Sequence, residues 1–495
     1  METLARAANR GSIATGAEGY TIDNSFVQEY NSTRTVEVIY GGFGGNEPTT
    51  TKGTISFWFK WGALNGGGAV WKLLNVYNSQ VSIMPEGGTY DSSIYVAVYN
   101  EAVLKLVSTA KFRDTSAWYH ICAVFDTTLS TASDRVKIYI NGVRITDWST
   151  ANYPSQNADL LLVKENTKHF AGHNVNAGKP YGYYADMYYI HNQAKDVTDF
   201  GEFDADTGIW KPIEYTGTFG SYGYHWDFSN ASNLAEDQSG NDASTNQMSC
   251  SAFNVTSSMQ STDTPTNNFA TCTYGAFPGN TNLTITEGGT KVTTVSGGLV
   301  QYDMNFSWYS NILAPYNSGK WYIEVYVTNQ DASVFGIAPN QGSILAAPNN
   351  NWDRRVFLYN GSVNYNYGTS SGVDSSRFTF TTGDILMAVI DADNQRVTFG
   401  KNGGWMDTSS GVTNSSPTVW YTYSGGDWDE YGGFVGFYGT TALTNANPDW
   451  EVNHGGYHTY TISSAETDAN GYGTFEYAPP TGYYALCTKN LAQYG

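Results

Sequence analysis

Arg135-Val136-Lys137-Ile138-Tyr139-Ile140-Asn141-Gly142 and Arg396-Val397-Thr398-Phe399-Gly400-Lys401-Asn402-Gly403 are two copies of one pattern, about half the chain apart. Val136, Ile138 and Ile140 alternate with Lys137 and Tyr139, the period of a strand buried on one face. Asn-Gly then supplies the positive backbone angles of a tight hairpin turn. Each copy follows a matching strand, Ala123-Val124-Phe125-Asp126 in one case and Ala388-Val389-Ile390-Asp391 in the other. Strand, polar turn, strand and Asn-Gly reversal thus occur twice in the same order, which predicts two copies of one antiparallel architecture. The copies share their register only from Arg to Gly, and the turn before it is longer in the first. The repeat therefore marks a common framework, not two equivalent binding sites.

At 495 residues the chain is too long for one hydrophobic core, and two or three domains are expected. Its 53 Gly and 38 Tyr suit a turn-rich, aromatic-rich β protein. Charged residues make up only 14%, against about 25% in a typical soluble domain. The surface must then be largely Asn, Ser, Thr, Gly and Tyr, a neutral hydrogen-bonding face suited to sugars or to tight assembly. The net charge of −20 and the lack of a basic run argue against nucleic acid, whose binding depends on clustered Lys and Arg displacing its counterions. Anionic membranes are disfavoured for the same reason, and no run approaches transmembrane length. The N-terminus lacks an apolar signal core, so synthesis and folding in a cytoplasm are expected. Cys122, Cys250, Cys272 and Cys487 are scattered, without CxxC or Cys/His metal spacing and without a disulfide framework.

Four segments follow from the pattern. Residues 1–20 form a polar arm with one short Leu-Ala-Arg-Ala-Ala stretch that could turn helically. Residues 21–195 read as strands and turns, among them Thr54–Lys60, Ile94–Tyr99, Trp118–Phe125 and Asp186–Ile190. Residues 196–270 shift to Gly, Asp, Ser, Asn and Thr, punctuated by Trp210-Lys-Pro212 and Tyr224-His-Trp-Asp-Phe228. Such aromatics need burial, so this stretch is expected to be an ordered connector. Residues 271–495 return to strands, from Leu283-Thr-Ile285 through Trp321–Val327 and Ile385–Ile390 to Gly433–Phe437. The fold class is all-β, with an antiparallel sandwich in each half.

The first block resembles the laminin-G-like, concanavalin A-type sandwich through Ile55-Ser-Phe-Trp58, Trp118-Tyr119-His120 and the strand from Val136 to Gly142. The second resembles a SPRY domain through Gly319-Lys-Trp-Tyr-Ile-Glu-Val325, Phe335-Gly-Ile-Ala338, Thr382-Gly-Asp384, Ala388-Val-Ile-Asp391 and Lys401-Asn-Gly403. The joining segments resemble ones that recur in tailed-phage virion proteins: Asp199 to Pro212, Asp227-Phe-Ser with Asp237-Gln-Ser-Gly-Asn241, Asp263 to Ala270, and the ending Tyr477 to Leu491. The resemblance implies a bacteriophage tail fibre or other exposed virion component bearing lectin-like sandwiches. It also suggests a homo-oligomer, a trimer in many fibres. The polar arm before Tyr20 belongs to neither sandwich and is the expected point of attachment to other virion proteins.

Asn351-Trp352-Asp353-Arg354-Arg355 and Gly426-Asp427-Trp428-Asp429-Glu430-Tyr431 each place a Trp among charges in a loop. An aromatic plate flanked by hydrogen-bonding groups suits a sugar's apolar face or a protein anchor, and packing of the Trp on its own domain is the competing expectation. Trp352, Asp353, Arg354, Arg355, Asp427, Trp428, Asp429 and Tyr431 are the candidate ligand-binding set. Glu202-Phe-Asp204-Ala-Asp206 approaches the paired carboxylates of a glycosidase, but acids in such turns commonly cap backbone amides. His169-Phe-Ala-Gly-His173 and His454-Gly-Gly-Tyr-His458 have zinc-like spacing only on a helix, and their glycines argue for loops. Asp391-Ala-Asp-Asn394 superficially matches a calcium loop, yet Arg396 occupies the place of its glycine. No catalytic residue, resident metal or cofactor is assigned; calcium held by loop carbonyls and scattered acids, as in some laminin-G-like domains, is not readable from spacing.

The reading is a non-enzymatic protein of the exposed virion surface that recognises host-surface glycans or a receptor. The alternatives are a capsid decoration or head-fibre protein, and a polysaccharide-degrading enzyme on the same fold.

Overall fold

The Asn-Gly hairpins form in both halves. Strand Trp118–Asp126 pairs antiparallel with Val136–Ile140, and Ile385–Asp391 pairs with Arg396–Lys401. Asn141 and Gly142 take φ of 49° and 76°, and Asn402 and Gly403 take 51° and 84°. The asparagine also acts through its side chain. Asn141 N donates to His120 O (2.9 Å) while its Oδ1 accepts from His120 N (2.7 Å). Asn402 makes the same exchange with Ile385, at 2.9 and 2.8 Å. Each turn is thereby clamped to the strand beside it. Burial of Val136, Ile138 and Ile140 stabilises the first copy by roughly 1.5–3 kcal/mol per side chain.

The computed structural model describes residues 19–28, 35–40, 46, 48–62, 71–74, 79–83, 93–98, 102–164, 166–171, 182–241, 248–274, 283–295, 307–339, 355–366, 371–375, 377–409, 411–423, 433–441 and 446–495. The arm expected over residues 1–20 lies outside them up to residue 18. The described residues divide into two units, one ending at Thr266 and the other starting at Asn267. Both are all-β, each built from two antiparallel sheets.

The first unit faces two antiparallel sheets across one core. One sheet runs Val143–Arg144, Val136–Ile140, Trp118–Asp126, Lys52–Trp61, Gly182–His191, Ser25–Gln28, Gln260–Ser261, with Tyr224–Trp226 also paired to Gly182–His191. The other runs Trp148–Asn152, Leu104–Lys111, Ser93–Val98, Ser79–Ile83, Trp71–Leu74, Lys168–Ala171, Thr35–Tyr40, Met248–Phe253. Phe57, Phe59, Trp61, Ile121, Tyr184, Tyr189 and Trp226 fill the space between them. The segment 196–270, read from sequence as a connector, contributes Tyr224–Trp226, Met248–Phe253 and Gln260–Ser261 to these sheets. Trp210, Tyr224, Trp226 and Phe228 of this segment are buried in the first unit, whereas Phe203 is exposed and Phe269 packs in the second.

The second unit has the same layout. One sheet runs Cys272–Tyr274, Trp308–Ser310, Phe434–Thr441, Ser333–Pro339, Arg355–Tyr359, Ser362–Asn366, Ser371–Asp374. The other runs Leu283–Thr286, Lys291–Thr294, Asp449–Asn453, Lys320–Asn329, Ile385–Asp391, Arg396–Lys401, Gly404–Trp405. The chain end is bound in by two buried carboxylates. Glu324 accepts from Tyr322 Oη (2.7 Å), Tyr460 Oη (2.6 Å), Glu476 N (2.9 Å) and Tyr477 N (2.8 Å). Asp468 accepts from the amides of Asn470, Tyr472 and Ala485 and from Asn490 Nδ2. These bonds satisfy irregular backbone that no strand ladder reaches. Tyr484–Ala485 joins Lys320–Asn329 in parallel, and the short helix Thr488–Tyr494, absent from the sequence reading, ends the chain.

Candidate functional site

Of the eight candidate ligand-binding residues, Trp352, Asp353, Arg354, Asp427, Trp428, Asp429 and Tyr431 lie outside the described residues. Arg355 is described. It opens the strand Arg355–Tyr359, opposite Asn366, and is only 7% exposed.

Glu202 and Asp204 sit on and just after the strand Gly201–Phe203, whose hairpin partner is Trp210–Pro212. Asp204 Oδ1 accepts from the amides of Asp206 and Thr207 and from Thr207 Oγ1, the turn-capping role expected of it. Lys211 Nζ lies 3.2 Å from Glu202 and 3.3 Å from Asp204. The Thr207 hydrogen bonds above all hold the Asp204 carboxyl at about 2. A glycosidase acid needs the opposite shift.

The histidines are built into the folds. His169 lies on the strand Lys168–Ala171 and not in the loop its glycine neighbour suggested; its buried ring meets Leu162 O at 2.8 Å through Nε2. His173 lies outside the described residues. His454 Nε2 lies 2.8 Å from Ser310 Oγ in the interior, and His458 Nδ1 donates to Tyr460 O at 3.0 Å. Asp391 is consumed by its own hairpin, accepting from Asn394 Nδ2 and Arg396 Nε. Among the described residues no group of His, Cys, Asp or Glu is placed to hold a metal ion.

A buried Ser–His pair in the first unit deserves a chemical test. Ser56 Oγ lies 2.8 Å from His120 Nε2, and Trp210 Nε1 donates to His120 Nδ1 at 3.0 Å. An indole nitrogen can only donate, so Nδ1 is the acceptor and Nε2 carries the ring proton. His120 therefore donates to Ser56, the reverse of what a serine nucleophile needs. Burial holds the ring neutral, with its pKa down at about 3. This chain of bonds ties residues of the laminin-G-like pattern, Ser56 and His120, to the Trp210 hairpin.

The polar cluster with the most ligand-like character was not visible in the sequence. It lies on the strand Gly182–His191, where a bulge between Ala185 and Tyr188 interrupts pairing with Lys52–Trp61. Asp186 at that bulge adopts φ of 51°, a strained conformation that an L-residue keeps only when its surroundings enforce it. Its Oδ1 accepts from Tyr20 Oη at 3.0 Å and from His225 Nε2 at 2.7 Å. Tyr188 stacks on His225 at 4.1 Å between ring centres, and Phe219 stacks on the same imidazole at 6.1 Å. Burial, with the Asp186 charge, pushes the Tyr20 hydroxyl well above the usual phenol range, so it stays a donor. Tyr20, Phe219 and His225 are half-buried. Aromatic faces beside a carboxylate, an imidazole and a phenol can hold a polyhydroxylated ring. The cluster gathers three distant segments, and its one sequence signal is an acid in an aromatic strand, Tyr183-Tyr184-Ala185-Asp186-Met187-Tyr188.

Residues 43–177 match the family model Laminin_G_3, described as the concanavalin A-like lectin/glucanases superfamily. Among curated proteins, none matches the chain in sequence. Similar solved structures include the SPRY domain of human HERC1, 16% identical, covering 34% of this chain and 91% of its own, with a TM-score of 0.22. Domains LG4-5 of the mouse laminin alpha1 chain are 9% identical and cover 93% of this chain and 89% of their own, with a TM-score of 0.26. Domain 4 of AbnA, a GH43 extracellular arabinanase from Geobacillus stearothermophilus solved with arabinotriose, is 19% identical, covering 30% of this chain and 63% of its own, with a TM-score of 0.23. The region from residue 43 to residue 177 thus carries a laminin-G-like, concanavalin A-type sequence pattern on a sandwich of that class.

Proposed function

We propose that this chain is a non-enzymatic glycan-recognition protein displayed on a bacteriophage virion, as a tail fibre or related surface component. The observation that carries the recognition half is the Tyr20–Asp186–His225 cluster, set among aromatic rings on a sandwich of lectin type. Its chemistry fits a neutral saccharide: rings for the apolar face, and a carboxylate, an imidazole and a phenol for hydroxyls. The virion half rests on the phage-type segments Asp199–Pro212, Asp227-Phe-Ser with Asp237-Gln-Ser-Gly-Asn241, Asp263–Ala270 and Tyr477–Leu491, and it carries with it assembly with other virion proteins as a homo-oligomer.

A glycan array probed with the full chain tests the recognition half. Binding to a defined set of glycans is expected, at least tenfold weaker for His225→Ala and Phe219→Ala, with near-ultraviolet circular dichroism unchanged. An array without signal, or a signal that both substitutions leave intact, would sink this assignment. Labelling the protein on purified particles tests the virion half.

A further inference from the structure

Lys60 and Asp263 are both fully buried, and Lys60 Nζ lies 2.7 Å from Asp263 Oδ2 across 203 residues of sequence. Lys60 sits in the strand Lys52–Trp61, directly opposite Trp118 on one neighbouring strand and Tyr183 on the other. The Tyr183 ring lies 5.4 Å from Nζ, and Trp118 Nε1 donates to Asp263 Oδ1 at 3.1 Å. Asp263 is fixed as well: its amide donates to Ser261 Oγ, and its carbonyl accepts from Ser25 Oγ. An amine and a carboxyl are thus held in contact, aromatic rings beside them.

A fully desolvated ion pair is costly, because its mutual attraction seldom repays the hydration both partners lose. Two neutral products are available to the same atoms: the neutral amine and acid, or their amide. Burial drives the Lys60 pKa down and so favours the uncharged, nucleophilic amine. Trp118 already donates to the oxygen on which negative charge would develop during attack.

We infer that Lys60 and Asp263 condense to an isopeptide bond that staples the strand Lys52–Trp61 to the segment following Gln260–Ser261. A proton passes from the ammonium to the carboxylate, and Nζ then attacks Cγ. The Cγ–Oδ2 bond breaks, and Oδ2 departs as water with the two protons that the nitrogen gives up. Oδ1 remains as the amide carbonyl under Trp118 Nε1. No oxidant, reductant or cofactor enters the balance. The product closes a covalent loop spanning most of the first unit, which removes chain entropy from its unfolded state as a disulfide would.

Intact-mass measurement on the denatured full chain, fresh and after prolonged warming, tests the bond. The expected result is a mass lower than the sequence by one water, with a tryptic species that joins the peptides around Lys60 and Asp263 and resists cleavage after Lys60. Lys60→Arg keeps a cation beside Asp263 but offers no comparable nucleophile, and its mass should return to the full sequence value. A wild-type chain that stays at full mass throughout would overturn the inference, leaving an ion pair only. A water loss that maps to an unlinked peptide, as an aspartyl succinimide would, overturns it equally.

Discussion

The two Asn-Gly hairpins are alike in backbone and unlike in what lies over them. In the first, Trp210 covers the turn: a Cβ on Gly142 would stand 2.3 Å from its ring. Trp210 is fixed in turn by His120, and Phe203 meets it edge-on at 5.0 Å. In the second, Tyr477 covers Gly403 more loosely, 2.9 Å from the equivalent Cβ. The first residue of the pattern diverges too. Arg135 donates to the carbonyls of Leu129, Ser130 and Pro154, whereas Arg396 pairs with Asp391 and stacks on Trp420 at 4.0 Å. One backbone device has thus been given two coats, each supplied by a downstream segment of its own unit.

The buried carboxylates sharpen the contrast. The first unit places a lysine against Asp263, while the second surrounds Glu324 with four donors that carry no charge. Asp263→Ala strands Lys60 in the interior and should cost at least about 3–5 kcal/mol, the usual penalty for breaking a buried pair, and more where the amide has formed. Glu324→Gln keeps the shape but points an amide NH₂ at two donors, which should cost about 2–4 kcal/mol from lost bonds and unmet donors. Hydrogen exchange read by mass spectrometry should place each loss of protection in its own unit. If Asp263→Ala proves milder than Glu324→Gln, the Lys60–Asp263 contact is not the stronger tie.

The glycines offer the next test. Gly142→Ala combines a left-handed backbone with a rigid indole in the way of its methyl group. A loss of about 2–4 kcal/mol is expected from these two effects together. Gly403→Ala meets the same backbone strain, but Tyr477 can yield, so roughly 1–2 kcal/mol is expected. Equal losses in chemical denaturation would mean that the two covers are equally stiff.

How much of this was readable beforehand depends on range. Apolar and aromatic runs along Thr54–Lys60, Trp118–Phe125 and Ile385–Ile390, and alternation along Arg396–Phe399, marked strands that the structure extends by only a few residues. Asn-Gly fixed the reversals, because backbone sterics act locally. The segment 196–270 was harder, since strands as short as Tyr224–Trp226 and Gln260–Ser261 carry too few residues to show a period. His169 was misplaced because Gly172 beside it read as a loop signal, although the four residues Lys168–Ala171 pair on both sides. Tyr20, Asp186 and His225 come from three segments, and Lys60 and Asp263 from opposite ends of the unit. No spacing rule joins such residues; only the sheet order does.

Acid should distinguish the units further. His120 and His169, both wholly buried in the first, have pKa values lowered by desolvation from 6.5 to about 3. The unfolded chain therefore takes up protons that the folded one refuses. The stability these rings contribute is complete above pH 6.5 and falls as the pH drops toward 3. By pH 5 each should have lost about 2 kcal/mol. Glu324 in the second unit has its pKa raised by burial, so its contribution runs the other way, strongest at low pH and lost as pH rises. His120→Gln can still accept from Trp210 and donate to Ser56. It should remove about one proton from the pH dependence of unfolding in the first unit while leaving the second unit's profile unchanged.

The smallest effect concerns the coat of the second hairpin. Arg396 pairs with buried Asp391 through one side of its guanidinium and lies over the Trp420 ring with its face. Lysine can satisfy the carboxylate as a point charge, but it lacks the planar group that stacks. Arg396→Lys should therefore keep the fold and lose only the stacking contribution, about 0.5–1 kcal/mol for a partly exposed pair. Trp420→Ala should cost more than that in the wild type and correspondingly less in the Arg396→Lys background. A double-mutant cycle on thermal or chemical unfolding measures the difference. A coupling near zero would mean that Arg396 serves Asp391 alone. The second hairpin's arginine would then differ from the first only in choosing a carboxylate over backbone carbonyls, and the indole would be a bystander to that choice.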